Sequence, residues 1–142
     1  MNSAPYDVLE EHQRIRGLVH RIESILEGRR QAGGDWVGSL RPLLQDLSME
    51  AGPHFDGEEA ELFRDVRERF PSQVPTIDNL VQQHRQLLSE LVELSGRCQE
   101  MDDTDSGRCE KFADRLGESL RSLRRHEEEE DDLGSRNRTL IL

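Results

Sequence analysis

Aromatic residues are nearly missing from this chain: one tryptophan, one tyrosine and four phenylalanines, 4% of 142 residues. Valine and isoleucine are sparse as well, so the side chains that fill a sheet are lacking. Two cysteines are too few for a disulfide framework. No apolar run approaches the roughly 20 residues needed to cross a bilayer. The opening "MNSAPYDVLEEH" lacks the apolar stretch of a secretory signal, so a cytoplasmic protein with no membrane partner is expected. Positive charge is short too: 19 Lys and Arg face 30 Asp and Glu, a formal net charge of −11. Such a surface repels phosphate backbones, which makes nucleic acid an unexpected partner.

What remains is a polar chain, 35% charged and 33% hydrophobic, rich in the helix formers leucine, glutamate and arginine. Its few apolar residues stand in helical register. A first seam runs Val8, His12, Ile15, Val19, Ile22, Leu26. A second runs Leu40, Leu44, Leu47, Ala51, His54, Glu58 and ends near Phe70. The third is Ile77, Leu80, His84, Leu87, Leu91, Leu94, Cys98. The fourth is Phe112, Leu116, Ser119, Leu123, His126, Glu130, ending at Gly134. The breaks between them are short, so consecutive helices pack antiparallel. An all-α, up-down-up-down four-helix bundle over residues 1–134 is expected, with 135–142 as a short C-terminal tail. Pro42 fits a helix start, which places the second helix from about Ser39. Pro53 should kink that helix beside His54.

Four of the five histidines sit one per helix, each on its seam. The spacing from His12 to His54 is the same as that from His84 to His126. One constant shift along the chain carries His12 onto His84, His54 onto His126 and Glu58 onto Glu130. The apolar positions follow the same shift, so two helical hairpins related by an approximate twofold axis are implied.

A buried histidine or glutamate is costly unless paired, and six of them converging in one core need a partner. A metal supplies it. Residues at i and i+4 share a helix face about 6 Å apart along the axis. His54/Glu58 and His126/Glu130 can therefore each present an imidazole and a carboxylate, with one further imidazole from His12 and one from His84. Twofold symmetry then gives two metals, two histidines on each, and both glutamates bridging. Mixed imidazole and carboxylate ligation with open positions suits iron.

The ordered set, His12, then His54-x-x-x-Glu58, His84 and His126-x-x-x-Glu130, resembles the hemerythrin-like (HHE cation-binding) domain. "HFDGEEAELF" is similar to that family's second helix and "EEHQRIRGLVHRIE" to its first. The resemblance implies a non-haem, carboxylate-bridged di-iron centre with dioxygen, nitric oxide or peroxide as the small ligand. The expected function is binding or sensing of such a ligand. The alternatives are a redox enzyme acting on hydrogen peroxide and iron storage or donation. Two departures from the oxygen-carrying hemerythrins stand out. Their third helix carries an H-x-x-x-H pair, where this chain has Leu80. Their last carboxylate lies five residues after the final histidine, where this chain has Asp131. Glu130 and Asp131 thus compete, and Glu130 is preferred because it mirrors Glu58.

Among the remaining residues, His20 is expected to be partly buried on a flank. Glu127, Glu128, Glu129 and Asp132 are expected on a solvated face, and Glu59 is expected to be exposed. Cys98 and Cys109 read as reduced core thiols. Tyr6 and Trp36 read as packing residues, and the apolar "TLIL" tail could dock on the bundle or a partner, or fray.

Overall fold

The computed structural model describes residues 8–32, 35–102 and 104–141, with side chains over 10–31, 35–102 and 104–135. The packing expected of Tyr6 lies outside the described residues, as do the side chains of Val8 and of the tail beyond Ser135.

Helix α1 spans Val8–Ala32, with Glu10 and Glu11 in its first turn and Arg29 and Arg30 in its last. That placement sets each charge against the opposite end of the helix dipole. Helix α2 spans Trp36–Glu58 and runs without interruption into a π-helical turn, Glu59–Phe63, and a short α3, Arg64–Arg69. Phe70 breaks the helix with φ −133° and ψ 76°, and a 3-10 turn, Pro71–Gln73, leads into α4. Helices α4, Val74–Glu100, and α5, Ser106–Ile141, complete four rods, with no strand among the described residues. Neighbouring rods touch in the cyclic order α1, α2, α4, α5. This is the expected all-α, up-down-up-down four-helix bundle.

Two boundaries differ from the sequence expectation. Helix α2 starts at Trp36 rather than Ser39, so both Pro42 and Pro53 lie inside it. An interior proline costs about 3 kcal/mol. But α2 buries Leu40, Leu43, Leu44 and Leu47, each contributing about 1.5–3 kcal/mol, and that packing outweighs the local penalty. The helix is not interrupted at Pro53; the departure from α geometry comes later, at Glu59. Helix α5 does not end at Gly134 but continues to Ile141.

The π turn follows from the seam. After His54 and Glu58 the next buried residue is Phe63, a step of five, whereas Leu62 is only partly buried. A regular α-helix brings residues three or four apart to one face, and the π turn absorbs the extra one. The α4–α5 connection is shaped by polar capping. Asp102 Oδ1 accepts from Thr104 N at 2.9 Å and Asp105 Oδ1 from Arg108 N at 3.1 Å. The Arg41 guanidinium donates to the Cys98 and Met101 carbonyls at the end of α4. Cys98 and Cys109 are buried thiols, not joined in a disulfide.

Apolar residues form two clusters. A large one, from Ile15 to Leu123, fills most of the bundle and includes Trp36 and Phe55. A small one at the other end joins Phe63, Val66, Ile77, Leu80 and Leu133. Along the seams of α2, α4 and α5 the buried polar residues fall between the two, so apolar packing encloses that layer from both sides.

Candidate metal centre

Each rod brings one histidine to this layer. His12, His54, His84 and His126 are all buried, as are Glu58 at 0% and Glu130 at 2% exposure. Every Nε2 points inward. His12 Nε2 lies 3.0 Å and His54 Nε2 3.3 Å from Glu58 Oε2. His84 Nε2 lies 3.1 Å from Glu58 Oε1 and 3.2 Å from Glu130 Oε2. His126 Nε2 lies 3.2 Å from Glu130 Oε2. The ligand atoms thus fall into two groups that could each hold a metal ion: His12, His54 and Glu58, and Glu58, His84, His126 and Glu130. Equal bridging by both glutamates is not what the geometry gives. Glu58 reaches both groups, and Glu130 only the second.

Three of the four outward-facing ring nitrogens are held as well. His54 Nδ1 pairs with Glu11 Oε1 at 2.9 Å, His84 Nδ1 with Glu59 Oε2 at 2.8 Å, and His126 Nδ1 with Gln83 Oε1 at 2.7 Å. Each acceptor keeps a proton on Nδ1, which leaves the Nε2 lone pair aimed at the centre, the tautomer a metal ligand needs. The His84 ring also lies nearly parallel to Phe55, with centroids 4.1 Å apart, and to Phe63 at 5.3 Å.

Unpaired atoms test whether these residues fit a cation. Glu58 Oε1, Glu130 Oε1 and His126 Nε2 are buried without a hydrogen-bond partner. His126 Nε2 comes within 3.2 Å of Glu130, but not at a hydrogen-bonding angle. Acceptor atoms that converge this closely without a proton between them repel unless a positive charge lies among them. The donor set fits a metal.

The electrostatics carry the same strain. Burial pushes the Glu130 carboxyl up, joined by the neighbouring Glu58, to about 12. Burial would raise Glu58 too, but the His12, His54 and His84 rings and the Glu130 carboxyl crowded around it hold it well below the carboxylate range. Burial and the nearby His84 push His126 down to about 3, so it stays neutral. For His54, burial is outweighed by Glu58 and Glu11, and the net shift is upward.

A search of protein-family sequence models matches the Hemerythrin HHE cation binding domain over residues 4–134. The chain belongs to the hemerythrin HHE cation-binding family. Comparison with curated proteins and with solved structures returned no match. In this hemerythrin-family domain, Leu80, at the position of the oxygen carriers' extra histidine, is fully buried in the small apolar cluster. Asp131 is exposed and bound by Arg16 Nη2 at 2.9 Å, so Glu130 is the carboxylate that turns inward.

Several outer residues differ from the sequence reading. Glu127 is not solvated with Glu128 and Glu129; it is 6% exposed and accepts from Arg16 Nε at 3.1 Å. Burial raises its pKa against the pull of Arg16. Glu59 is half-buried and engaged by His84, and His20 is exposed. The outer acceptors Glu11 and Gln83 were not singled out, though a signal existed. The shift that carries His12 onto His84 also carries Glu11 onto Gln83, and each stands at the same distance along the chain before the histidine it holds.

Proposed function

We propose that this hemerythrin-family chain binds two non-haem iron ions and uses them to bind or sense a small ligand such as dioxygen or nitric oxide. His12, His54 and Glu58 would hold one ion, and His84, His126, Glu130 and the shared Glu58 the other. Three and four donors leave iron with open positions, and iron so held can take up a small diatomic molecule and exchange electrons with it. The chain's own part is preparatory. Glu11, Glu59 and Gln83 fix the Nδ1 protons, and Phe55 and Phe63 pack against His84 and keep water from its ring faces. The observation that carries this reading is the convergence of four Nε2 atoms on two buried carboxylates, with three polar atoms left unpaired.

The surroundings support a soluble small-molecule partner. The acidic surface disfavours nucleic acid, and no helix among the described residues is long and apolar enough to cross a membrane. A cytoplasmic setting, which keeps Cys98 and Cys109 as thiols, completes the proposal.

Protein purified from iron-replete cells should carry iron and show charge-transfer absorption when oxidised. A stable spectral change with nitric oxide or dioxygen supports the binding role. Sustained oxygen evolution from hydrogen peroxide over many turnovers would replace it with an enzymatic one. Release of iron to a chelator with neither response would favour storage. Failure to take up iron anaerobically would end the reading.

A further inference from the structure

The two donor groups differ in more than donor number. The group of His84 and His126 has a carboxylate of its own, Glu130, besides the shared Glu58. Its outer acceptors are the Glu59 carboxylate on His84 and the Gln83 amide on His126. The group of His12 and His54 has only the shared carboxylate. Glu11 backs His54, but among the described residues none accepts from His12 Nδ1. The internal repeat shows why. Glu59, which backs His84, corresponds to Asp131, and His84 to His12. Asp131 is instead held by Arg16 at 2.9 Å, and the residue corresponding to Arg16 in the second hairpin is the apolar Leu88.

We infer that the two positions fill in order, the four-donor position first and the three-donor position second, and that Glu11 is the positioning residue that sets the second affinity. A stable form with one ion therefore exists. The inference rests on the two-ion reading above. A carboxylate behind an imidazole raises its donor strength, and loss of such a partner typically weakens metal binding about 10–100-fold. With Glu130 absent from its ligands, the second position depends on that support the more.

The test is anaerobic calorimetric titration of the metal-free full chain with ferrous iron, followed in parallel by Mössbauer spectra with isotopically enriched iron. The expected result is two steps, with a second quadrupole doublet that grows only after one equivalent. Glu11→Gln should weaken the second step about ten-fold and alter only the second doublet. Gln83 already shows that an amide oxygen holds a histidine in this register, so the fold should survive that change, as an unchanged metal-free melting temperature would verify. Gln83→Glu should strengthen the first step alone. Two ions bound in one step of equal affinity, or a first step weakened by Glu11→Gln, would overturn the order while leaving the two-ion site standing. No uptake of iron at all would overturn both.

Discussion

The first hairpin, α1 with α2, and the second, α4 with α5, are built on one repeated pattern, and their agreement extends to detail. His12 reaches Glu58 and His84 reaches Glu130 across equal lengths of chain. A groove of about 220 Å³ between α1 and α2 includes Glu11, Arg14, Glu50 and Pro53 in its walls. Its counterpart between α4 and α5, about 210 Å³, uses the corresponding Gln83, Gln86, Ser122 and Arg125. The differences are local. An Arg14–Glu50 ion pair of 3.1 Å spans the first groove, while the second is also walled by His126 itself. Phe55 packs on His84 in the one half; in the other, the corresponding residue is Glu127, buried with Arg16. Helix α2 passes through a π turn after Glu58, and α5 stays α-helical after Glu130. Ligand positions follow the repeat, and what surrounds the ligands does not. The repeat thus builds the site, and departures from it make its two halves unequal.

The largest expected effect breaks the comparison at its centre. Glu58→Ala removes the carboxylate both groups share and should abolish binding of both ions. Glu130→Ala takes one donor from one group, leaving it three like the other, and should weaken that group's binding step while both ions still bind, as anaerobic titration with ferrous iron would show. Equal losses from the two substitutions would mean that the glutamates are equivalent after all.

Next come the residues that follow the two glutamates. Phe63, at the end of the π turn, and Leu133, within the regular α5, both fill the small apolar cluster. Phe63→Ala should cost about 3–5 kcal/mol and Leu133→Ala about 2–3 kcal/mol by urea denaturation of the metal-free protein. The first should also loosen His84, seen as a weaker first iron-binding step, because the Phe63 ring stacks on it.

Pro53 and Arg125 occupy matching places. Pro53→Ala returns a backbone donor to α2 and should stabilise by about 2 kcal/mol, the helix gain less the added freedom of the unfolded chain. Arg125→Pro puts the same interruption into α5 and should cost about 3 kcal/mol. Thermal melting of the two variants would show opposite shifts.

The smallest effect is a proton. Glu130 is raised by burial to about 12, far above the roughly 4.3 of an unfolded glutamate. Its support of the metal-free fold is therefore full below about pH 4.3 and is lost as pH rises toward about 12. Glu58, held low by its histidines, behaves oppositely: its support is present above about pH 4.3 and fades on acidification. At neutral pH, loading the site must expel the Glu130 proton. Calorimetry in buffers of different ionisation enthalpy should detect about one more proton released by the parent chain than by Glu130→Gln.

The bundle was legible in the sequence because its apolar residues are few and strictly placed; one stripe per helix leaves little choice of packing. The six inward residues stood out because the seam and the repeat coincide on them. The outer acceptors were harder. Glu11 and Gln83 look like any solvent-facing residue until the repeat is applied one position before His12 and His84. The burial of Glu127 was not readable, since it depends on Arg16, far away in sequence on the first helix. Nor was the π turn, because "EAELF" is ordinary helical sequence, and only packing of Phe63 rather than Leu62 demands the wider turn.

The sharing of Glu58 also bears on the order in which the protein is made. His12, His54 and Glu58 all leave the ribosome before any residue of the second hairpin. The stretch from Glu58 to Glu130 takes roughly 4–14 s to synthesise at about 5–20 residues per second. Until α4 and α5 follow, the first hairpin carries a three-donor group with no opposing helices to enclose it. The position completed earliest on the growing chain is thus the one with fewer ligands, and the four-donor position forms only once Glu130 has followed.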